Sequence, residues 1–348
     1  MKILISSDGK HAHYYQRMAW ATAFVESDFQ VSMWDCKNVP AFDVFDTFEP
    51  DIFLGQAYNL DASLLKCIYE RPHLKVGLRA GDWGDHEPIV DKSKYNILYC
   101  SQKEKDILKK LKDETGKPDF VHIHYDTEAI KVTHNHFKSI GIKPISLLMC
   151  ADTTAYSDPQ YDPMLDCDIG FVGGYWPYKA INLDKYLVSL CHPVGKYNIK
   201  IFGSSDWPVV QYLGRIVSEN VGALFASATI SPNISEPHSQ DFGYDIIERP
   251  FKILMSGGFC ISDYVESMAN DVFTNNEIVF AKTPEEFKTL IGYYIEHPEK
   301  RIQHMEAGYN SVVQNHTYFH RMAKVFSELE MDSEADKCMK TMMSFFEE

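Results

Sequence analysis

The stretch "DIGFVGGYWPYK", Asp168 to Lys179, decides how the chain is read. Its apolar run ends at Gly173-Gly174, and a helix containing "LDKYLVSL" comes after it. A near-continuous apolar strand that gives way to a glycine turn and a helix is the repeating unit of a parallel sheet covered on both faces.

The same succession continues downstream. "LDKYLVSL" reads as helix, "YNIKIFG" as strand, and a further helix is expected around "VQYLGRIVSEN", before "ALFASATISPN". A helix of about two turns follows, with Pro250 in its first turn, Phe251, Leu254 and Met255 on its apolar face, and Gly257-Gly258 to end it. The strands "FCIS" and "EIVFA" come next, and Thr283, Pro284 and Glu286 then fit the N-cap, first and third positions of a helix burying Phe287, Leu290, Ile291 and Tyr294.

Upstream, "KILIS" leads into the loop "SDGKHAH" and a helix from Tyr14 to about Ser27, with Tyr14, Met18, Ala21 and Val25 expected on one face. "QVSMWDC", "DIFLGQ", "LKVGLRA", "YNILYC", "DFVHIHY" and "PISLLMC" are strand candidates. Ser101 and Glu104 match a capping box for a helix that runs to Gly116. "ADTTAYSDPQYDPMLDC", Ala151 to Cys167, is polar and proline-bearing and reads as a linker. The expected organisation is an α/β domain over residues 1–158, a second over 159–330 and a short amphipathic helical tail over 331–348.

With 348 residues, 45% of them hydrophobic, the chain can bury two cores, and it contains no run of about 18 apolar residues. The N-terminus has no signal-peptide pattern, and the eight cysteines form no CxxC pair, so a cytoplasmic location with reduced thiols is expected. A net charge of -15 argues against broad contact with a nucleic-acid backbone or an anionic membrane. An anionic ligand must then be caught locally.

In open parallel sheets ligands bind beyond the carboxyl ends of the strands. There, Gly173 and Gly174 allow backbone approach with Lys179 close behind, and Gly203, Ser204 and Ser205 follow "IKIF" in the same way. Arg249 and Lys252 lie at the start of the Pro250 helix, the end whose dipole favours anions. A bound diphosphate would account for both cations. Simple extension of both side chains into solvent accounts for them equally well.

The ordered runs "DIGFVGGYWPYK", "IKIFGSSDW", "GYDIIERPFKILMSGGFCISDYVESM", "NEIVFAKTPEEFKTLIGYYIEHPEKR" and "NHTYFHRM" resemble the C-terminal half of GT-B glycosyltransferases. These have two facing Rossmann-like domains with parallel sheets, and the likeness is greatest to the spore-maturation (CgeB-like) branch related to the family 4, or group 1, enzymes. The resemblance implies a metal-independent transferase without cofactor, whose second domain binds a nucleotide-diphosphate sugar and whose first binds a glycan or other hydroxyl acceptor. Lys179 and Arg249 would then meet the donor phosphates, with Gly257-Gly258 or the helix start nearby. Phe242, Gly243 and Tyr244 would lie near the sugar or nucleotide, and the final helix after Asn315 would return toward the first domain.

One departure stands out. Retaining relatives carry two glutamates eight positions apart, which fall here on Tyr244 and Lys252, while Asp245 and Glu248 stand nearby out of register. Lysine at 252 could hold a phosphate or a carboxylate on the donor sugar. Retention and inversion both stay open; for the base or acceptor contact, Asp82 in "RAGDWGD" is preferred and His11 is second. His122, His124, His134 and His136 suggest a metal site, and the first two share a face on a strand, but on a helix positions two apart diverge by about 200 degrees, so a structural reading is favoured and no metal is assigned. An epimerase or hydrolase acting on the donor alone, and a noncatalytic sugar-nucleotide or glycan-binding protein, are the rival readings.

Overall fold

A computed structural model describes residues 1–7, 12–81 and 102–347. The chain forms two compact units, one made of residues 1–148 with 318–348, the other of residues 149–317.

The first unit holds a parallel sheet of six strands among the described residues: β1 (Lys2–Ser7), β2 (Gln30–Asp35), β3 (Ile52–Gln56), β4 (Lys75–Arg79), β5 (Phe120–Ile123) and β6 (Lys143–Ser146). Their spatial order is β2-β1-β3-β4-β5-β6. The inner strands are buried almost throughout, as runs such as "DIFLGQ" require. "YNILYC" and Ser101 lie outside the described residues.

The second unit holds a parallel five-stranded sheet: β7 (Cys167–Val172), β8 (Ile199–Phe202), β9 (Ala228–Asn233), β10 (Cys260–Asp263) and β11 (Val279–Ala281), in the order β11-β10-β9-β7-β8. Ile169, Phe171, Ile201, Ile230 and Ile261 form its core with Leu183, Leu187, Phe287 and Ile291. Thr283 caps the helix Pro284–Glu296, accepting the Glu286 N–H at 3.1 Å, while Glu286 accepts the Lys282 N–H at 2.7 Å.

Four expectations need correction. The boundary falls at 148/149 rather than 158/159, so the polar stretch 151–167 is part of the second unit, tied to it where Ser227 Oγ accepts the Asp162 N–H at 2.9 Å. Residues 318–330 and the helix Asp332–Ser344 belong to the first unit, where Phe326 packs on Phe24 and Phe29 and Lys143 pairs with Glu328.

The helix Ala12–Glu26 turns Tyr14, Met18 and Val25 outward and buries Gln16, Arg17, Ala19, Trp20, Ala23 and Phe24. Its apolar residues are too evenly spread for periodicity to select one face, and packing against the helix Tyr318–Glu328, remote in sequence, makes the choice. The helix expected around "VQYLGRIVSEN" is absent. The first part of that segment runs extended along β8, with Ile201 N–H to Gln211 O at 3.0 Å and Leu213 N–H to Ile201 O at 2.9 Å; a 3-10 turn forms at Ser218–Asn220, and α-helix begins only at Val221–Ser227. Gly214, at φ +88°, stops helical continuation.

Candidate functional site

In the second unit the chain reverses direction of build at β7, which has β8 on one side and β9 on the other. Loops leaving the carboxyl ends of β7 and β9 therefore diverge and open a crevice. The loop after β7 carries Gly173 and Gly174. The loop after β9 carries Ile234, Ser235 and Glu236.

Arg249 joins the two. Its Nε donates to the Val172 carbonyl at 3.2 Å, and its Nη1 donates to Asn233 Oδ1 at 3.2 Å and the Ile234 carbonyl at 3.3 Å. The guanidinium lies 4.7 Å from the Phe171 ring centroid. Burial pushes its pKa down to about 10, against the field of Asp263, so it stays charged at neutral pH.

Lys179, on the helix Pro177–Tyr186, is 6% exposed, and its ammonium lies 4.8 Å from the Trp176 ring centroid. Burial, and then Arg249, push its pKa down to about 7, while Glu236 acts in the opposite sense. Among the described residues neither cation forms an ion pair. Two adjacent buried cations without a bound carboxylate make a site of unbalanced positive charge in a protein of net charge -15.

The loops around the pair are tightly fitted. A Cβ on Gly203 would lie 2.1 Å from the Gly173 carbonyl oxygen, which also accepts Trp207 Nε1–H at 3.1 Å. Ser205 Oγ accepts the Tyr175 N–H at 2.6 Å, Ser204 is exposed, and Gly174 leaves room for the Trp176 indole.

Beneath the β9 loop, the fully buried Asp263 accepts the Ser235 N–H at 3.0 Å on both oxygens, Ser235 Oγ at 3.0 Å and Gln240 Nε2 at 2.6 Å. Burial pushes this carboxyl up, and the hydrogen bonds oppose the shift. Asn182 Nδ2 completes the network by donating to Ser235 O and Gln240 Oε1, both at 3.0 Å.

The remaining sequence candidates separate. Lys252 does not join Arg249, because it pairs with Glu248 at 2.5 Å and lies over Tyr156. Burial alone would lower its pKa, but Glu248 and Tyr156 hold it above the ordinary lysine value. Gly257 and Gly258 lie at the amino end of β10, beyond the last turn of the helix Arg249–Met255, where Gly258 N–H bonds Ile253 O at 2.9 Å. They are remote from the carboxyl-end loops.

Phe242 is buried edge-on against Tyr244, and Gly243 between them, at φ +78°, caps the helix Pro237–Phe242. On that helix His238 meets Asp245 Oδ2 at 2.8 Å and stacks on Tyr178.

Asp82 and His11 lie outside the described residues. At the carboxyl ends of β4 and β5, Arg79 Nη2 is 3.3 Å from His124 Nδ1, Arg17 lies over Trp20, and Glu104 accepts the Gly81 N–H at 3.2 Å. His122 is held well below the ordinary histidine value by burial and then by Arg17 and Arg79. His134 bonds the Gly81 carbonyl. Among the described residues no three metal-ligating side chains converge, and no helix is long and apolar enough to cross a membrane.

The family model described as "Glycosyl transferase-like" matches residues 187–327. No curated protein sequence matches the chain. Among solved structures, sucrose-phosphate synthase from Thermosynechococcus elongatus is similar with a TM-score of 0.63 at 10% identity, covering 95% of this chain and 99% of that one. Anabaena HepE in complex with UDP gives 0.61 at 12%, covering 94% and 99%. T4 phage BGT in complex with its UDP-glucose substrate gives 0.53 at 14%, covering 98% and 99%. The fold is that of the GT-B glycosyltransferases.

Proposed function

We propose that this protein transfers a hexosyl or pentosyl group from a nucleoside diphosphate sugar to a hydroxyl acceptor, with the donor diphosphate held by Lys179 and Arg249. The observation that carries this reading is the pair of buried cations at the carboxyl end of β7 that have no ion-pair partner among the described residues. The glycine backbone at 173 and 174 gives phosphate oxygens access to the same place. A UDP-sugar is the first donor to test, because two of the similar structures hold UDP or UDP-glucose.

In the reaction the bond between the anomeric carbon and the diphosphate breaks, and its electron pair leaves on the phosphate oxygen. The two cations neutralise that charge as it develops, which is the task a metal performs elsewhere. The acceptor hydroxyl oxygen bonds to the anomeric carbon, and its proton passes to a base. Asp82 is our first assignment for that base and His11 the second, since they follow β4 and β1. The described cysteines are all free thiols, which fits our assignment of the reaction to the cytoplasm.

The test is a thermal-shift and turnover screen with UDP, GDP, dTDP, ADP and CMP sugars, repeated with Arg249→Ala and Lys179→Met. Stabilisation by one nucleotide that both substitutions abolish supports the donor site, and no shift with any of them defeats it. A noncatalytic binder is the second reading, favoured by a lysine held by Glu248 at position 252, where the resemblance leads one to expect a glutamate. Nucleotide binding without donor turnover would select it, and turnover independent of any acceptor would select an epimerase or hydrolase.

A further inference from the structure

The sequence leaves the site without its two expected glutamates, and the structure shows how the neighbouring carboxylates are used. Asp245 faces His238 Nε2 at 2.8 Å and accepts Ser239 Oγ at 3.1 Å. Glu248 holds Lys252, and Asp263 is sealed beneath the β9 loop.

Glu236 differs from all three. Its side chain is 24% exposed, its carboxylate takes no hydrogen bond among the described residues, and the near polar contact of that carboxylate is His238 Nδ1 at 3.7 Å. Its backbone is well fixed, because the preceding Ser235 is clamped by Asp263 and the Ile234 carbonyl is bonded to Arg249. The carboxylate therefore stands on the loop that carries one wall of the crevice, close enough for its field to act on both Lys179 and Arg249.

Resting on the donor-site reading above, we infer that Glu236 faces the sugar of the bound donor, accepts hydrogen bonds from its hydroxyls, and so selects a neutral sugar over one that carries a carboxylate. The sugar is bonded directly to the diphosphate, so a diphosphate on Lys179 and Arg249 brings the first sugar carbons beside the β9 loop. Once the diphosphate has neutralised those two cations, Glu236 remains as local negative charge. An ionised carboxylate has only acceptor sites to offer, which suits hydroxyl donors and repels a second carboxylate. Lys252 cannot offset that repulsion, because Glu248 already holds it.

The test measures binding of UDP, UDP-glucose and UDP-glucuronate by calorimetry to the wild-type chain, Glu236→Gln and Glu236→Asp. The glucose and glucuronate donors differ only at the sugar C6, a hydroxymethyl group in one and a carboxylate in the other. The wild type is expected to prefer UDP-glucose at least tenfold, Glu236→Gln to bring the two within about threefold, and Glu236→Asp to retain the preference. UDP itself should bind Glu236→Gln as well as or better than the wild type, which also reports that the site is folded. If UDP binds but Glu236→Gln keeps the wild-type ratio, or the wild type shows no preference, the role of Glu236 is overturned and the donor site stands. If none of the three binds the wild type and none of the GDP, dTDP, ADP and CMP sugars does either, the donor-site reading falls and takes this inference with it.

Discussion

Replacing Lys179 by methionine should make the ligand-free protein more stable while destroying its affinity for a diphosphate. Methionine keeps an unbranched stem to pack near Trp176 and removes a buried charge that has no carboxylate bonded to it. The lysine pKa falls from 10.5 to about 7 on folding, so the folded chain disfavours the proton. The penalty is present in full below about pH 7, shrinks as the pH rises, and is gone near the unfolded value. At roughly 1.4 kcal/mol per pH unit its upper bound is about 5 kcal/mol, and relaxation of the surroundings reduces the expected gain to about 2–4 kcal/mol. For a unit of this size that corresponds to a rise in Tm of roughly 5–10 °C. Denaturant melts of both proteins at pH 6.5, 8 and 9.5 would measure it, with the two curves converging at the highest pH. A variant less stable than the wild type at pH 6.5, or a gap that does not change with pH, would refute the account of an uncompensated charge.

Other substitutions probe the surroundings. Gly203→Ala drives a Cβ into the Gly173 carbonyl oxygen at 2.1 Å and should cost about 3 kcal/mol or more, whereas at Gly174 the obstacle is the movable Trp176 side chain and the loss should be about half that, as melting temperatures would show. Asp263→Ala should cost about 3–5 kcal/mol and raise the Kd for nucleotide, because the Ser235 N–H and Gln240 Nε2 lose their acceptor. Lys252→Met strands the Glu248 carboxylate and should cost about 3 kcal/mol in denaturant melts. Adding Glu248→Gln should recover much of that loss, with nucleotide affinity within about threefold of the wild type throughout.

The parallel sheets were legible because buried strands such as "KILIS" and "DIGFV" are apolar over their whole length. Glycines marked the loops that leave β7 and β8 at their carboxyl ends. The partition of the cations was only half legible. Lys252 stands four residues after Glu248, a helical spacing that already offered the pair, whereas the reach of Arg249 back to the ends of β7 and β9 is set by tertiary neighbours. Asp263, Asn182 and Glu236 were missed for a related reason. Each is an ordinary polar residue, Asp263 at the end of β10, Glu236 just before the helix Pro237–Phe242 and Asn182 within the helix Pro177–Tyr186, and only the approach of β9 to β10 makes Asp263 the clamp of the Ser235 loop. Asp263 at the end of "FCISD" and Glu236 in the polar stretch after "ISPN" were nonetheless open to the carboxyl-end rule that found Gly173. The unit boundary was misplaced because a polar, proline-bearing stretch looks alike whether it joins two bodies or wraps one.

The return of the last 31 residues to the first unit makes residues 149–317 a single uninterrupted insert. Its two ends are fastened to each other, with the Ala151 N–H on the His316 carbonyl at 2.9 Å. The flanking chain is fastened likewise, with Arg321 Nε on the Leu148 carbonyl at 2.7 Å. Cuts at 148/149 and 317/318 therefore fall between two closed seams, and a chimera joined there exchanges the whole of one sheet without opening the core of the other. On the ribosome the insert is complete before its host, which waits for Phe326 to close over Phe24 and Phe29.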